Sequence, residues 1–479
     1  MSNRSPAART ARIALLALAL GLAALALRLG DTALRVGTGF SARVLCSLAF
    51  VSGLDPRTSY DEYVAFVLGP AHALVRYEVD DAERAVESRA FYRRARAVHR
   101  EGLGCVLVAD DGPDEERLRS AAFPRSAPPP AALPVASPPP AVARELEDAL
   151  AEAFAEPTAA PPHRLTKAIV VLHRGAIAAE RYAPGVDAAT PLLSWSMAKS
   201  VTATLAGIAV GEGRLALGAP APVPEWSDED DPRHAIALDT LLRMSSGLAF
   251  DEHYGAINDV SIMLFTRADA GAYAASRPLA HPPDTVWSYS SGTSNVVARL
   301  LRDAFGRDLG AMVAWSRRVL FDRIGMASAL VETDASGSFL GSSFVFATAR
   351  DWARFGQLHL QDGVWEGERV LPEGWVDYVR TPTPGAARGE YGAHWWLNAG
   401  RPGAPEDRTW PSVPRDAFAA RGMSGQYVVV VPSAELVVVR LGLAQAEGDA
   451  LHGIERLVAR AIGAVEAWDA ASATAGTRR

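Results

Sequence analysis

The tetrapeptide Ser196-Met197-Ala198-Lys199, set at the head of an apolar run, constrains this chain more than any other feature. Val201, Leu205, Ile208 and Ala209 recur at helical spacing and Gly211 and Gly213 end the pattern, so the spacing predicts a buried helix with Ser196 at its N-terminus. Residues i and i+3 share a helix face, which puts the Lys199 amine within reach of the Ser196 hydroxyl. A desolvated lysine holds its proton less tightly and becomes a base for the hydroxyl as it attacks a carbonyl. Amide dipoles at the helix start favour the negative charge that develops there. A Ser-x-x-Lys match also arises by chance, so the rest of the chain has to supply the rest of a site.

Two further segments have the required chemistry in the required order. Tyr289-Ser290-Ser291 sits in a polar loop that leads into an apolar helix at 296–301, where the tyrosine is placed to face Ser196. Downstream, Arg421-Gly422-Met423-Ser424-Gly425-Gln426 runs into a strand at 427–431, and Pro432-Ser433-Ala434 turns the chain back into 436–441. The glycines permit a ligand to approach that edge closely. The oxyanion is expected on the backbone N–H groups of Ser196 and Gln426, with Gly425, Ser424 and Ser291 lining the substrate site.

With these motifs the chain resembles the serine β-lactamase and penicillin-binding-protein superfamily, in its class C branch. Three more segments carry the likeness: Leu241-Leu242-Arg243-Met244-Ser245-Ser246-Gly247-Leu248, the run Thr348-Ala349-Arg350-Asp351-Trp352, and Tyr391-Gly392-Ala393-His394-Trp395-Trp396. Within the superfamily it is similar to 6-aminohexanoate-dimer hydrolases and related esterases. The resemblance implies Ser196, Lys199 and Tyr289 as the catalytic group, and it needs no cofactor. It also implies a mobile loop after the Ser245-Ser246-Gly247 turn, where Tyr254 is either a substrate contact or a solvated loop aromatic. Two departures bear on substrate. Ser291 stands where β-lactam-recognising members place an asparagine, and Met423-Ser424-Gly425 where they place Lys-Thr-Gly.

The implied fold is α+β: a β-lactamase-like antiparallel sheet flanked by helices, plus an all-helical lobe from about 211 to 351. A helix at 142–154 and a hairpin of 167–172 with 177–182 open the domain, and the 427–441 hairpin and a helix at 450–462 close it. Residues 142–465 form this hydrolase domain and 466–479 a tail. Before it, residues 31–110 read as a small separate module with helices at 60–67 and 82–98 and a strand at 105–108. The segment 111–141, rich in Asp, Glu, Ala and Pro, reads as an extended linker.

Arg4, Arg9 and Arg12 precede an apolar stretch from Ile13 to Leu27, the composition of an export signal. Residues 1–30 are expected to act as an uncleaved anchor, with cleavage near Ala24-Leu25-Ala26 as the alternative. The catalytic domain then stands in the periplasm or outside the cell, tied to an inner membrane. In such an oxidising compartment the two cysteines, Cys46 and Cys105, are expected to form a disulfide, with two separate buried thiols as the other reading. The net charge of −7 argues against nucleic acid as a partner. No His pair has metal-ligand spacing. The sequence supports an exported serine hydrolase of amides or esters, then a β-lactamase or D-alanyl-D-alanine carboxypeptidase, and third a membrane-tethered binding protein without chemistry. It does not fix the oligomeric state.

Overall fold

The computed structural model describes residues 6–123, 131–253 and 257–476. A single unbroken helix, α1 (Pro6–Phe50), carries the N-terminal apolar run into the body of the protein. Leu15, Leu18, Leu22, Leu25 and Leu29 are exposed, whereas Val36, Phe40, Val44, Leu45 and Leu48 are buried. By length and composition the stretch Leu15–Phe50 is apolar enough to cross a membrane.

The buried half of α1 is wrapped by a four-stranded antiparallel sheet, β1 (Arg76–Asp80), β2 (Ala85–Ala90), β3 (Arg93–Arg100) and β4 (Gly104–Val108), paired in that order. The helix expected at 82–98 is therefore a strand pair. Val86, Ser88 and Ala90 are buried at every second position, the strand period, against a face that α1 covers. Packing overrides the helix-forming character of the Arg, Ala and Glu residues there. The helix expected at 60–67 lies in the turns Tyr60–Val64 and Ala65–Leu68. A disulfide ties Cys46 of α1 to Cys105 of β4, with the Cα atoms 6.1 Å apart.

This N-terminal part is not a separate body. Phe40, Leu45, Val86 and Leu107 belong to the same buried cluster as the residues around Ser196. A buried carboxylate fastens the two parts: Glu332 accepts from Arg43 (3.3 Å), Ser47 (2.7 Å) and the Cys105 amide (2.7 Å). Removing one partner would strand a buried charge, so the contact fixes how the parts sit. Both described ends of the segment expected as a linker are docked as well. The Ala136 amide donates to the Ile177 carbonyl at 2.9 Å, and Asp111 accepts from the Ala268 amide.

Helix α2 (Pro140–Phe154) then leads into β5 (Thr166–His173), β6 (Ala176–Tyr182) and the nucleophile helix α3 (Met197–Gly211). The helical lobe follows, with α4 (Asp259–Thr266), α5 (Ser291–Ala304) and, on leaving it, α6 (Ala349–Leu360). The lobe is not wholly helical, because Val345–Ala347 pairs on one side with Leu330–Val331 and on the other with Leu192–Leu193 in a small sheet of their own. The chain closes with β7 (Trp396–Leu397), β8 (Phe418–Gly422), β9 (Gln426–Val431), β10 (Leu436–Gly442) and α7 (Ile454–Gly476).

The main sheet runs β7-β8-β9-β10-β5-β6, all antiparallel, so strands from both ends of the domain meet where β10 pairs with β5. Its central strands are valine-rich because both faces are covered. Val428 and Val430 pack with α3 and α6, while Tyr427, Val429 and Val431 pack with α2 and α7, the alternation a strand requires.

Candidate active site

Trp195 delivers Ser196 to the start of α3. Its φ of +44° lies in the left-handed region, which costs a bulky residue energy and is held by burial of the ring against Phe344, centroid to centroid 5.4 Å. One turn on, the Lys199 side chain is 1% exposed and its amine is enclosed by oxygen: Ser196 Oγ at 3.1 Å, Ser291 Oγ at 3.0 Å and the Ser342 carbonyl at 3.2 Å. Burial drives the Lys199 pKa from 10.5 down to about 8, against an opposing pull from the Glu252 carboxylate.

Tyr289 closes the group from the loop before α5. Its ring lies 4.6 Å from the Lys199 amine, and its side chain interacts with that of Ser196, which pulls the phenol pKa down against its burial. Burial first, then the Glu252 charge, raises its pKa above 10, so it is a phenol at neutral pH. Trp396 (5.4 Å) and Tyr391 (5.9 Å) hold the ring in place. Of the adjacent tryptophans, Trp395 is buried in the core and Trp396 faces the site, as strand alternation dictates.

Ser291 touches both Lys199 and Glu252. Its amide and its hydroxyl donate to the two Glu252 oxygens at 2.8 and 2.5 Å. Sequence reasoning missed Glu252, which sits on the loop where Tyr254 was singled out; Tyr254 itself lies outside the described residues. Only its place two residues before Tyr254, with no spacing rule to Ser291, stood as a signal.

The strand edge beside the nucleophile is not the expected one. A Cβ on Gly422 would meet the Ser194 carbonyl at 2.2 Å and the Ser196 nitrogen at 3.0 Å, so the end of β8 passes against the turn that presents Ser196, and only glycine fits. Met423 follows and lines the same cavity as Ser196. Gln426 is one strand further back, opposite Gly422 in the register, and its buried side chain is bonded to both backbone groups of Gly442. Ser424 and Gly425, with φ of +62° and +82°, make the turn between β8 and β9. There the Ser424 hydroxyl donates to Tyr63 at 3.1 Å and its amide to Glu447 at 2.7 Å, and neither Ser424 nor Gly425 lines the cavity at Ser196. The run 427–431 was read as the edge because it is the apolar strand, yet strands buried on both faces are central.

Two basic side chains near the site are already engaged. Arg421 pairs with Asp449 at 2.6 Å and stacks over Trp396, its charge centre 5.1 Å from the ring centroid. His394 Nδ1 donates to the Leu242 carbonyl (2.7 Å) and Nε2 accepts from the Ser294 hydroxyl (2.9 Å); burial lowers its pKa to about 3, so it stays neutral and does not compete with Lys199 as a charged group. Among the described residues no cluster of three His, Cys, Asp or Glu side chains has the geometry to hold a metal ion.

The arrangement suits activation of a serine hydroxyl for acyl transfer, and comparison with known proteins agrees. The Beta-lactamase family model matches residues 148–459. The 6-aminohexanoate-dimer hydrolase of Paenarthrobacter ureafaciens is 26% identical over 301 residues, covering 58% of this chain and 72% of that protein. Among solved structures, a penicillin-binding protein homolog from Caulobacter crescentus shares the fold with a TM-score of 0.52 at 16% identity, over 69% of this chain and 99% of the other. A family VIII carboxylesterase does so with a TM-score of 0.52 at 15% identity, over 69% and 98%. The family match spans well over half of the chain, and the Ser196, Lys199 and Tyr289 cluster falls inside it: this protein belongs to the Beta-lactamase family of serine hydrolases.

Proposed function

We propose that this chain is a membrane-tethered hydrolase that cleaves an ester or linear amide through an acyl-enzyme on Ser196. The observation that carries this reading is the buried Lys199 amine, with its pKa lowered to about 8 and its nitrogen 3.1 Å from the Ser196 hydroxyl. Ser196 Oγ attacks the carbonyl carbon while its proton passes to the neutral Lys199 amine, directly or through the Tyr289 hydroxyl. The same pair returns the proton to the leaving alcohol or amine, and water then cleaves the acyl-enzyme and restores Ser196. The oxyanion sits between the backbone N–H of Ser196 and that of Met423, the residue after the Gly422 contact. Such donors are worth several kcal/mol in the transition state. The apolar N-terminal half of α1 supports the tether, and the disulfide supports an oxidising compartment such as the periplasm.

The ester or amide reading is preferred to a β-lactam one because nothing at Ser291 or Met423 offers a strong partner for a ring carboxylate. The Ser291 hydroxyl is engaged by Lys199 and Glu252, and the Arg421 cation by Asp449. A carboxylate brought into the site would lose its water without a charged partner to replace it. A panel of p-nitrophenyl esters, linear amides and nitrocefin tests this. Ester hydrolysis should exceed nitrocefin turnover in kcat/KM; nitrocefin well above every ester and amide would establish the β-lactamase reading instead.

A further inference from the structure

The cavity at Ser196, about 410 Å³ in volume, does not lie between sheet and helical lobe alone. From Ser196, Ser291 and Met423 it extends along an apolar wall to Ala33, Leu34 and Gly37 of α1, and to Val67 and Leu74 of the neighbouring turns. The same helix that is by length and composition apolar enough for a bilayer thus builds the far wall of the catalytic cavity. A file of aromatic rings joins the two ends: Phe40 of α1 meets Phe265 at 5.2 Å, Phe265 meets Phe344 at 6.4 Å, and Phe344 meets Trp195 beside the nucleophile at 5.4 Å.

The far end of the cavity coincides with the place where α1 leaves the protein. Burial along α1 changes from exposed at Gly30 to partial at Asp31, and Ala33 is already a lining residue. Asp31 is held there by the tip of the β2–β3 hairpin, accepting from Arg93 and from the Tyr92 hydroxyl at 3.0 Å. At that tip Phe91 and Tyr92 are 75% and 69% exposed, next to Ala90, which lines the cavity. Exposed aromatics beside an emerging apolar helix are the residues that sit at a membrane interface.

The geometry points to a long acyl chain of a membrane lipid as the group that fills this cavity, with its ester or amide carbonyl at Ser196. This inference rests on the hydrolase reading above and names the substrate class of the same site. The chain enters from the bilayer beside the point where α1 emerges from the protein, and its tail lies along the apolar wall of the cavity. Ser196 Oγ bonds to the carbonyl carbon, the bond to the lipid head breaks, and the head leaves with the proton. Water then releases the fatty acid and restores the serine. A cavity of this size and lining matches an apolar ligand with one polar end.

The test uses the full-length protein in nanodiscs, p-nitrophenyl esters from acetyl to dodecanoyl, and ethyl and dodecyl fluorophosphonates. Each methylene buried in the cavity is worth up to about fourfold, so kcat/KM should rise by roughly tenfold or more between butanoyl and decanoyl esters, and the dodecyl probe should label Ser196 faster than the ethyl one. Ala33→Trp, which fills the far end from a partly exposed helix position, should collapse the ratio of long-chain to short-chain rates. Rates that are flat or fall with chain length while the ethyl probe still labels Ser196 would overturn the lipid assignment and leave the hydrolase standing. No labelling of Ser196 by either probe would overturn both.

Discussion

Burial brings the Lys199 amine into the working range of a base, and that has a measurable pH signature. Below about 8 it is an ammonium and accepts nothing; above, it is neutral and competent. The kcat/KM of a short ester should therefore rise about tenfold per pH unit well below that value and level off above it. Lys199→Ala should lower kcat by roughly 10²–10⁴-fold while the circular dichroism spectrum is kept. A rate independent of pH from 6 to 9 would argue against lysine as the base. Glu252 acts through Ser291 and through its charge, which raises the Lys199 pKa. Glu252→Gln removes that charge with little change of shape, so the inflection of the pH profile should move to lower pH; a shift upward would show that the carboxylate does not face the amine. At this scale Ser196, Lys199, Tyr289 and Ser291 were legible, because helix spacing and the approach to a helix are local. Glu252 and the Gly422–Met423 edge were not, because they depend on how a loop and a hairpin fold back on Ser196.

Among the elements, α1 departs furthest from a plain anchor. Gly39 allows it to lie against α4, since a Cβ there would meet the Phe265 carbonyl at 2.1 Å. The Cys46–Cys105 bridge and the Glu332 contacts fix its inner half to β4 and to the hydrolase part. Closing a loop of this length stabilises a fold by about 2–4 kcal/mol, so Cys46→Ala with Cys105→Ala should lower the midpoint of thermal unfolding. Mass spectrometry of wild-type protein alkylated without reductant should find neither cysteine modified; two alkylated cysteines in periplasmic material would rule the bridge out. Strands β5, β9 and β10 were readable from runs of valine bounded by turns, and so was the helix after Ser196. The hairpin at 85–100 was not, because its alternation is seen only once α1 is known to cover one face. Strand β8, poor in β-branched residues, gave no local signal either.

For the whole molecule, the expected module and the enzyme share a buried cluster. Residues expected to belong to a separate module share that cluster with the nucleophile helix, and one described end of the expected linker bonds to β6. Composition marks the beginnings and ends of such segments but carries no information on what they dock against, which is why this level was least legible. The overall class was legible, since strands from both ends of the domain with helices between them leave few ways to close a sheet. All of it converges on one hydroxyl. The most direct test is intact-mass and peptide mass spectrometry of the full-length protein after a fluorophosphonate probe, run beside Ser196→Ala. A single adduct on Ser196, absent from the alanine variant together with turnover lower by several orders of magnitude, is the expected result. An adduct on another residue, or an alanine variant that turns over ester at near wild-type rate, would contradict the assignment of Ser196 as the nucleophile.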